Sequence, residues 1–97
     1  MHIGVDIGGS KILVVAGTSG HEIIRQSKIK TPDSGEKGMS EIIRLIEEVA
    51  GADKIRAIAI ASASPIDRKK GNILESAPNM HGWRGTNLVQ PIKERFG

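Results

Sequence analysis

The stretch His2-Ile3-Gly4-Val5-Asp6-Ile7-Gly8-Gly9-Ser10-Lys11-Ile12-Leu13-Val14-Val15-Ala16 decides how this chain is to be read. Two apolar, β-rich runs, His2–Ile7 and Lys11–Ala16, flank a glycine pair, the pattern of two antiparallel strands joined by a tight turn. Glycine permits φ > 0 and close backbone approach, so the N–H groups of such a turn can face a phosphate. Ser10 adds a hydroxyl donor and Lys11 a cation. Asp6, at the end of its strand, offers a hard oxygen to Mg²⁺, directly or through water, as nucleotide phosphates require. The same residues also suit an ordinary Gly-Gly hairpin with no ligand, and both readings stay open at this point. Two other phosphate loops are excluded. The G-x-x-x-x-G-K-[ST] pattern is absent, and neither it nor G-x-G-x-x-G can apply where a strand, not a helix, follows.

Working outward, Gly17-Thr18-Ser19-Gly20 supplies a second turn and Glu22–Lys30 a third strand, which makes a meander. Thr31-Pro32-Asp33-Ser34-Gly35 breaks the pattern. Met39, Ile42, Ile43, Ile46 and Val49 then recur at helical spacing, with Glu41, Arg44, Glu47 and Glu48 on the other face and Gly51 as a stop. Lys54–Ala61 is nearly continuous apolar sequence and predicts a strand buried on both faces, parallel to another and reached through the helix. From Ser62 to Gly85 the chain is rich in Ser, Pro, Gly and Asn, a loop long enough to expect a function of it. A last helix is expected over Leu88–Phe96, with Asn87 as N-cap, Gln90 as its capping-box partner and Gly97 as terminator. The order strand-strand-strand-helix-strand-loop-helix is that of an α/β chain with a mixed sheet, expected as a single domain over residues 1–97.

Composition narrows the partners. A net charge of +3 from 14 basic and 11 acidic residues is mild, and one Trp, one Phe and no Tyr leave little to stack on bases. No nucleic-acid partner is expected, and Arg68-Lys69-Lys70 reads as a solvated turn. The absence of cysteine excludes disulfides and thiolate metal sites. His2, His21 and His81 are far apart in sequence and suggest no metal site. There is neither a signal-peptide pattern nor an apolar run of membrane-spanning length, so a cytoplasmic protein without a membrane partner is expected.

Three segments carry a more specific message. GVDIGGSKI (residues 4–12) resembles the first phosphate motif of the actin-like sugar kinases, D-x-G-G-T-K in the ROK family, with Ser10 keeping the hydroxyl of the usual Thr. IAIASASPIDRKKGNI (58–73) is similar to that family's G-I-G-x-P-G-P-V-D-x-x-x-G segment beside the sugar. Here Ala59 and Ala61 replace glycines and Ala63-Ser64 replaces Pro-Gly, so this loop is expected to differ in shape. SAPNMHGWRGTNLVQPIKERFG (76–97) resembles the A-P-N-x-x-G-W-x-G stretch that follows.

The resemblance implies an incomplete mixed sheet of the ribonuclease H-like, actin-like ATPase type. It also implies the amino-terminal phosphate- and sugar-binding lobe of an ATP-dependent, glucokinase-like hexose kinase. By the same resemblance Asp6, Gly8, Gly9, Ser10 and Lys11 meet ATP, with Mg²⁺ on the Asp6 side, and Ser64 and Asn79 lie on the hexose side. A carboxamide at position 79 suits a vicinal diol because it both donates and accepts. Asp67 is expected to form an Asx turn, and Trp83 to pack the loop onto the core. No catalytic residue is assigned, because the family's general base lies in an E-N-D-A-N strand for which no counterpart precedes Gly97. The lobe is therefore expected to be inactive alone. The alternative is a short, non-catalytic binding or regulatory module of the same descent. A family sheet that continues past Lys54–Ala61 also predicts an exposed strand edge, open to self-association or to a second lobe.

Overall fold

The computed structural model describes residues 1–18, 20, 22–74, 80 and 82–97. Strands β1 (His2–Ile7), β2 (Lys11–Gly17) and β3 (Ile23–Lys30) form the expected meander, followed by helix α1 (Gly35–Ala50), strand β4 (Ala57–Ser62) and helix α2 (Gln90–Phe96). The sheet order is β3-β2-β1-β4, with β4 parallel to β1 and the other pairs antiparallel. This is the mixed α/β sheet anticipated from the order of elements.

Alternation sets the two faces of the sheet. The register places Ile3 opposite Ala16, Val5 opposite Val14 and Ile7 opposite Ile12. All six are buried beneath α1, which contributes Met39, Ile42, Leu45, Ile46 and Val49 to the same core. The other face carries His2, Gly4 and Asp6 from β1, Leu13 and Val15 from β2, and Ala59 and Ala61 from β4, and no helix of the described residues lies over it.

Helix α1 begins a turn earlier than apolar periodicity indicates. Ser34 caps it, accepting from the Lys37 N–H at 3.2 Å. Its first turns bury glycines, Gly35 and Gly38, which a hydrophobic count passes over. Gly51 ends it with φ of 60°, and its N–H donates to the Glu47 carbonyl. Arg25 of β3 completes that end. Its Nε donates to the Val49 carbonyl, and its Nη2 donates to the Ala50 carbonyl at 3.1 Å and to Asp53 Oδ2 at 2.6 Å. Carbonyls that a helix terminus leaves unmatched are thus satisfied from the sheet.

Two expectations need correction. The strand expected at Lys54–Ala61 is not buried on both faces: Ala57, Ala59 and Ala61 are exposed, and Ile58 and Ile60 are half-buried. The reason is topological, since β4 is an edge strand with β1 on one side only. The capping box of α2 is also not closed. Asn87 Oδ1 does accept from the Val89 and Gln90 N–H groups at 2.9 and 2.8 Å, but the Gln90 side chain turns forward to Glu94. The helix starts at Gln90 with Val89 at the cap position. Among the described residues, no helix is long and apolar enough to cross a membrane.

Candidate functional site

The hairpin between β1 and β2 is closed by the Gly8 N–H, which donates to the Lys11 carbonyl at 2.9 Å, so Gly9 and Ser10 form its tip. Among the described residues, the glycines with positive φ are Gly51, Gly71, Gly82, Gly85 and Gly97, and neither Gly8 nor Gly9 is one of them. The tip is therefore turned without a left-handed glycine, contrary to one reason for expecting glycine there. Close approach is the better reason at Gly8, where a Cβ would lie 3.2 Å from the Lys11 carbonyl oxygen.

Thr31 holds this turn from behind, a role the sequence does not announce. Its N–H donates to the Ser10 carbonyl at 2.9 Å, and its Oγ1 donates to the Gly8 carbonyl at 2.7 Å. With these two carbonyls occupied, the tip is fixed to the end of β3. Ser10 and Lys11 are exposed beside it, as is Asp6 on the open face of the sheet. A shallow depression of about 300 Å³ on that face is lined by Asp6, Leu13, Val15 and Ala61, among others.

No set of three or more metal-binding side chains is assembled among the described residues. A lone exposed carboxylate is still a fitting donor for Mg²⁺, which binds through one or two carboxylates and completes its shell with waters and phosphate oxygens. The donor chemistry at Asp6 therefore suits a cation that arrives with a phosphate.

The loop after β4 starts beside this hairpin. Ser62 is in register with Ile7, and the Ala63 N–H donates to the Ile7 carbonyl at 2.9 Å. The hairpin and the loop thus leave the sheet at the carboxyl ends of the parallel pair β1 and β4, where open α/β sheets place their ligands. Ser64 is 2% exposed, with its Oγ 3.5 Å from Met80 Sδ and its N–H donating to Ser62 Oγ. That hydroxyl lies within the protein rather than on its surface. Asn79 lies outside the described residues, as do His21 and His81.

Several of the described residues of the long loop are tied to one another or to the core. Ile66 pairs with Ile73 and Asn72 with Asn87 as isolated bridges. Asp67 Oδ1 accepts from the Lys69 and Lys70 N–H groups at 2.9 and 3.2 Å, the anticipated Asx turn beneath the exposed basic run. Trp83 is fully buried and its Nε1 donates to the Pro32 carbonyl at 2.9 Å, so it packs the loop onto the start of α1 as expected.

A model of the ROK family matches residues 2–97. The chain belongs to the ROK family. This ROK chain is 30% identical over 95 residues to a glucokinase of Streptomyces coelicolor, covering 98% of itself and 29% of that relative. A ROK family glucokinase from Streptomyces griseus, solved in complex with glucose and AMPPNP, superposes with a TM-score of 0.84 at 30% identity over 97% of this chain and 30% of that one. A ROK hexokinase from Thermus thermophilus gives 0.80 at 23% identity, over 95% of this chain and 30% of that one, which speaks for the fold alone. The ROK chain thus spans just under a third of the length of these relatives.

Proposed function

We propose that this chain is the phosphate- and sugar-binding amino-terminal lobe of an ATP-dependent hexose kinase of the glucokinase type. One observation carries the reading: the glycine hairpin and the loop after β4 emerge together, joined by the Ala63 to Ile7 hydrogen bond. Two ligands that must react would then be held against one end of the same sheet. The Gly9-Ser10 tip, the Ser10 hydroxyl and the Lys11 ammonium would meet the ATP phosphates. Asp6 would hold Mg²⁺, which when bound offsets phosphate charge in phosphoryl transfer. Asn79 and the loop around Ser64 would face the hexose.

Catalysis by residues 1–97 alone is not part of the proposal. A kinase needs a carboxylate placed to accept the proton of the attacking hydroxyl. Of the aspartates other than Asp6, Asp53 is held by Arg25, Asp67 holds its own turn and Asp33 lies 3.6 Å from Lys37. We assign the base to a second lobe. We further assign to β4 a pairing with another strand, because its free edge opens on a groove of about 940 Å³ between β4 and α2, lined by Ile58, Ile60, Leu88, Ile92 and Phe96, among others.

The test is titration with Mg-ATP while following the backbone amides of Gly8 to Lys11 by NMR. Shifts confined to the hairpin and its neighbours are expected, with no glucose phosphorylation. Unmoved amides at millimolar nucleotide count against the phosphate role, and measurable turnover would show that a base is present after all. Sedimentation checks the free edge: a chain that stays monomeric at high concentration, with no partner strand, removes self-association.

A further inference from the structure

The open face of the sheet sets like charges against one another. Lys11 of β2 stands directly opposite Lys30 of β3, and Lys28 lies opposite Leu13 on the same face. Residues directly opposite in antiparallel strands have Cβ atoms about 5 Å apart, and like charges there are destabilising. Alternate residues along a strand are about 7 Å apart, so the three ammonium groups start from one small triangle. Each of the three is exposed, and none makes an ion pair among the described residues. Asp6, two strands from Lys28 in the same row, is the one acid that the register of β1, β2 and β3 places on this part of the face.

The triangle is fixed to the glycine hairpin. Thr31, the residue after Lys30, binds the carbonyls of Gly8 and Ser10, so Lys30 and the tip belong to one rigid unit. An anion seated at the tip would find Lys11 first, then Lys30 across from it on β3, then Lys28 two residues farther along that strand.

We infer that Lys30 and Lys28 continue the hairpin's phosphate site into a track for a linear chain of phosphates, in which a bound polyanion relieves the Lys11–Lys30 repulsion. This rests on the phosphate reading of the hairpin and adds two residues and a ligand shape to it. The chemistry is a run of linked phosphates, whether the tail of a nucleoside triphosphate or inorganic polyphosphate. The competing role for these lysines is protection of β3, an edge strand, from pairing with other chains.

The experiment compares the unmodified chain with the Lys28→Gln/Lys30→Gln double variant, titrating each with Mg-ATP, tripolyphosphate and orthophosphate under NMR observation. Both substitutions are at exposed sites, and circular dichroism confirms the fold. In the unmodified chain, the Gly8–Lys11 and Lys28–Lys30 amides should move together, with tripolyphosphate binding more tightly than orthophosphate. The double variant should bind triphosphate about 4- to 25-fold more weakly at low salt, about 2- to 5-fold for each exposed charge removed, and orthophosphate binding should fall less. The variant's affinity should also depend less on salt. Weakening for both ATP and tripolyphosphate assigns the track to phosphate chains in general, and weakening for ATP alone assigns it to the nucleotide. Hairpin shifts with undiminished affinity in the variant overturn the track and leave the lysines as edge protection. A silent hairpin in the unmodified chain overturns the underlying phosphate reading, and the track with it.

Discussion

Replacing Gly38 with alanine places one methyl group where the structure has no room. The new Cβ would lie 2.0 Å from Trp83 Cη2 and 2.1 Å from Cζ2, far inside van der Waals contact. The ring cannot easily yield, because it is fully buried and its Nε1 is hydrogen-bonded to the Pro32 carbonyl at 2.9 Å. Either α1 moves outward, at the overpacking cost of about 1–3 kcal/mol, or the indole leaves its site, at a cost nearer the roughly 3–5 kcal/mol of losing a buried Trp. Against this stands a gain of about 1 kcal/mol from alanine's higher helix propensity. The net loss expected is about 0–2 kcal/mol by the first route and about 2–4 kcal/mol by the second, against the roughly 5–15 kcal/mol available to a folded domain. The assay is urea unfolding followed by far-UV circular dichroism and by fluorescence of Trp83, the single tryptophan. Ser40→Ala, exposed on the same helix, is the control and should stay within about 0.5 kcal/mol of the parent. Combining Gly38→Ala with Trp83→Leu should cost less than the sum of the two, since the second change removes the obstacle. A Gly38→Ala chain as stable as the parent, with unshifted emission, would refute the reasoning.

Three other perturbations probe different joints. Arg25→Ala should destabilise by about 1–2 kcal/mol by unbinding the last carbonyls of α1, whereas Asp53→Asn, which touches only an exposed pair, should cost under about 1 kcal/mol in the same denaturation assay. Asn87→Ala removes the acceptor for Val89 and Gln90 along with the bond to the Lys70 carbonyl. A loss of about 0.5–2 kcal/mol and fraying of α2 by amide exchange are expected, and unchanged protection there would show the cap to be dispensable. Thr31→Val keeps the shape but removes the donor to Gly8, so stability should fall by about 1 kcal/mol, and exchange at Gly8 and residue 31, whose N–H groups are hydrogen-bonded at the turn, should quicken before that of other amides.

The parts of this molecule that were legible in the sequence are those whose signal is local. Alternation in β1 and β2, the helical repeat from Met39 to Val49 and the Gly51 stop each depend on neighbours within a turn or a strand. What escaped is set by distant contacts. Lys54–Ala61 looks like a strand buried on both faces, but burial depends on which strands and helices flank it, and β4 has one neighbour. The true start of α1 rests on two glycines that are buried because Thr86 and Trp83 come against them from another part of the chain. At the candidate site, the positions of Asp6, Ser10 and Lys11 follow from the hairpin pattern and were foreseeable. Thr31 was not, because nothing near Pro32 in the sequence says that its hydroxyl reaches back to Gly8. The Lys11–Lys30 juxtaposition was equally hidden until the register was known.

The parallel pairing of β1 with β4 also bears on the order in which the chain acquires its shape. The three-strand meander is contiguous in sequence and includes the whole glycine turn, ending at Lys30. By contrast His2 must find Ala57, and Ile3 must find Ile58, across the length of α1. Closing so long a segment costs more chain entropy than closing a hairpin, and non-local pairings form slowly. The glycine turn is therefore expected to mature early, even while later residues are still being synthesised, and the loop beside it to settle afterwards. Pulse-labelled exchange during refolding would record this as protection of the β1–β2 amides before that of Ala63, and simultaneous protection would count against it.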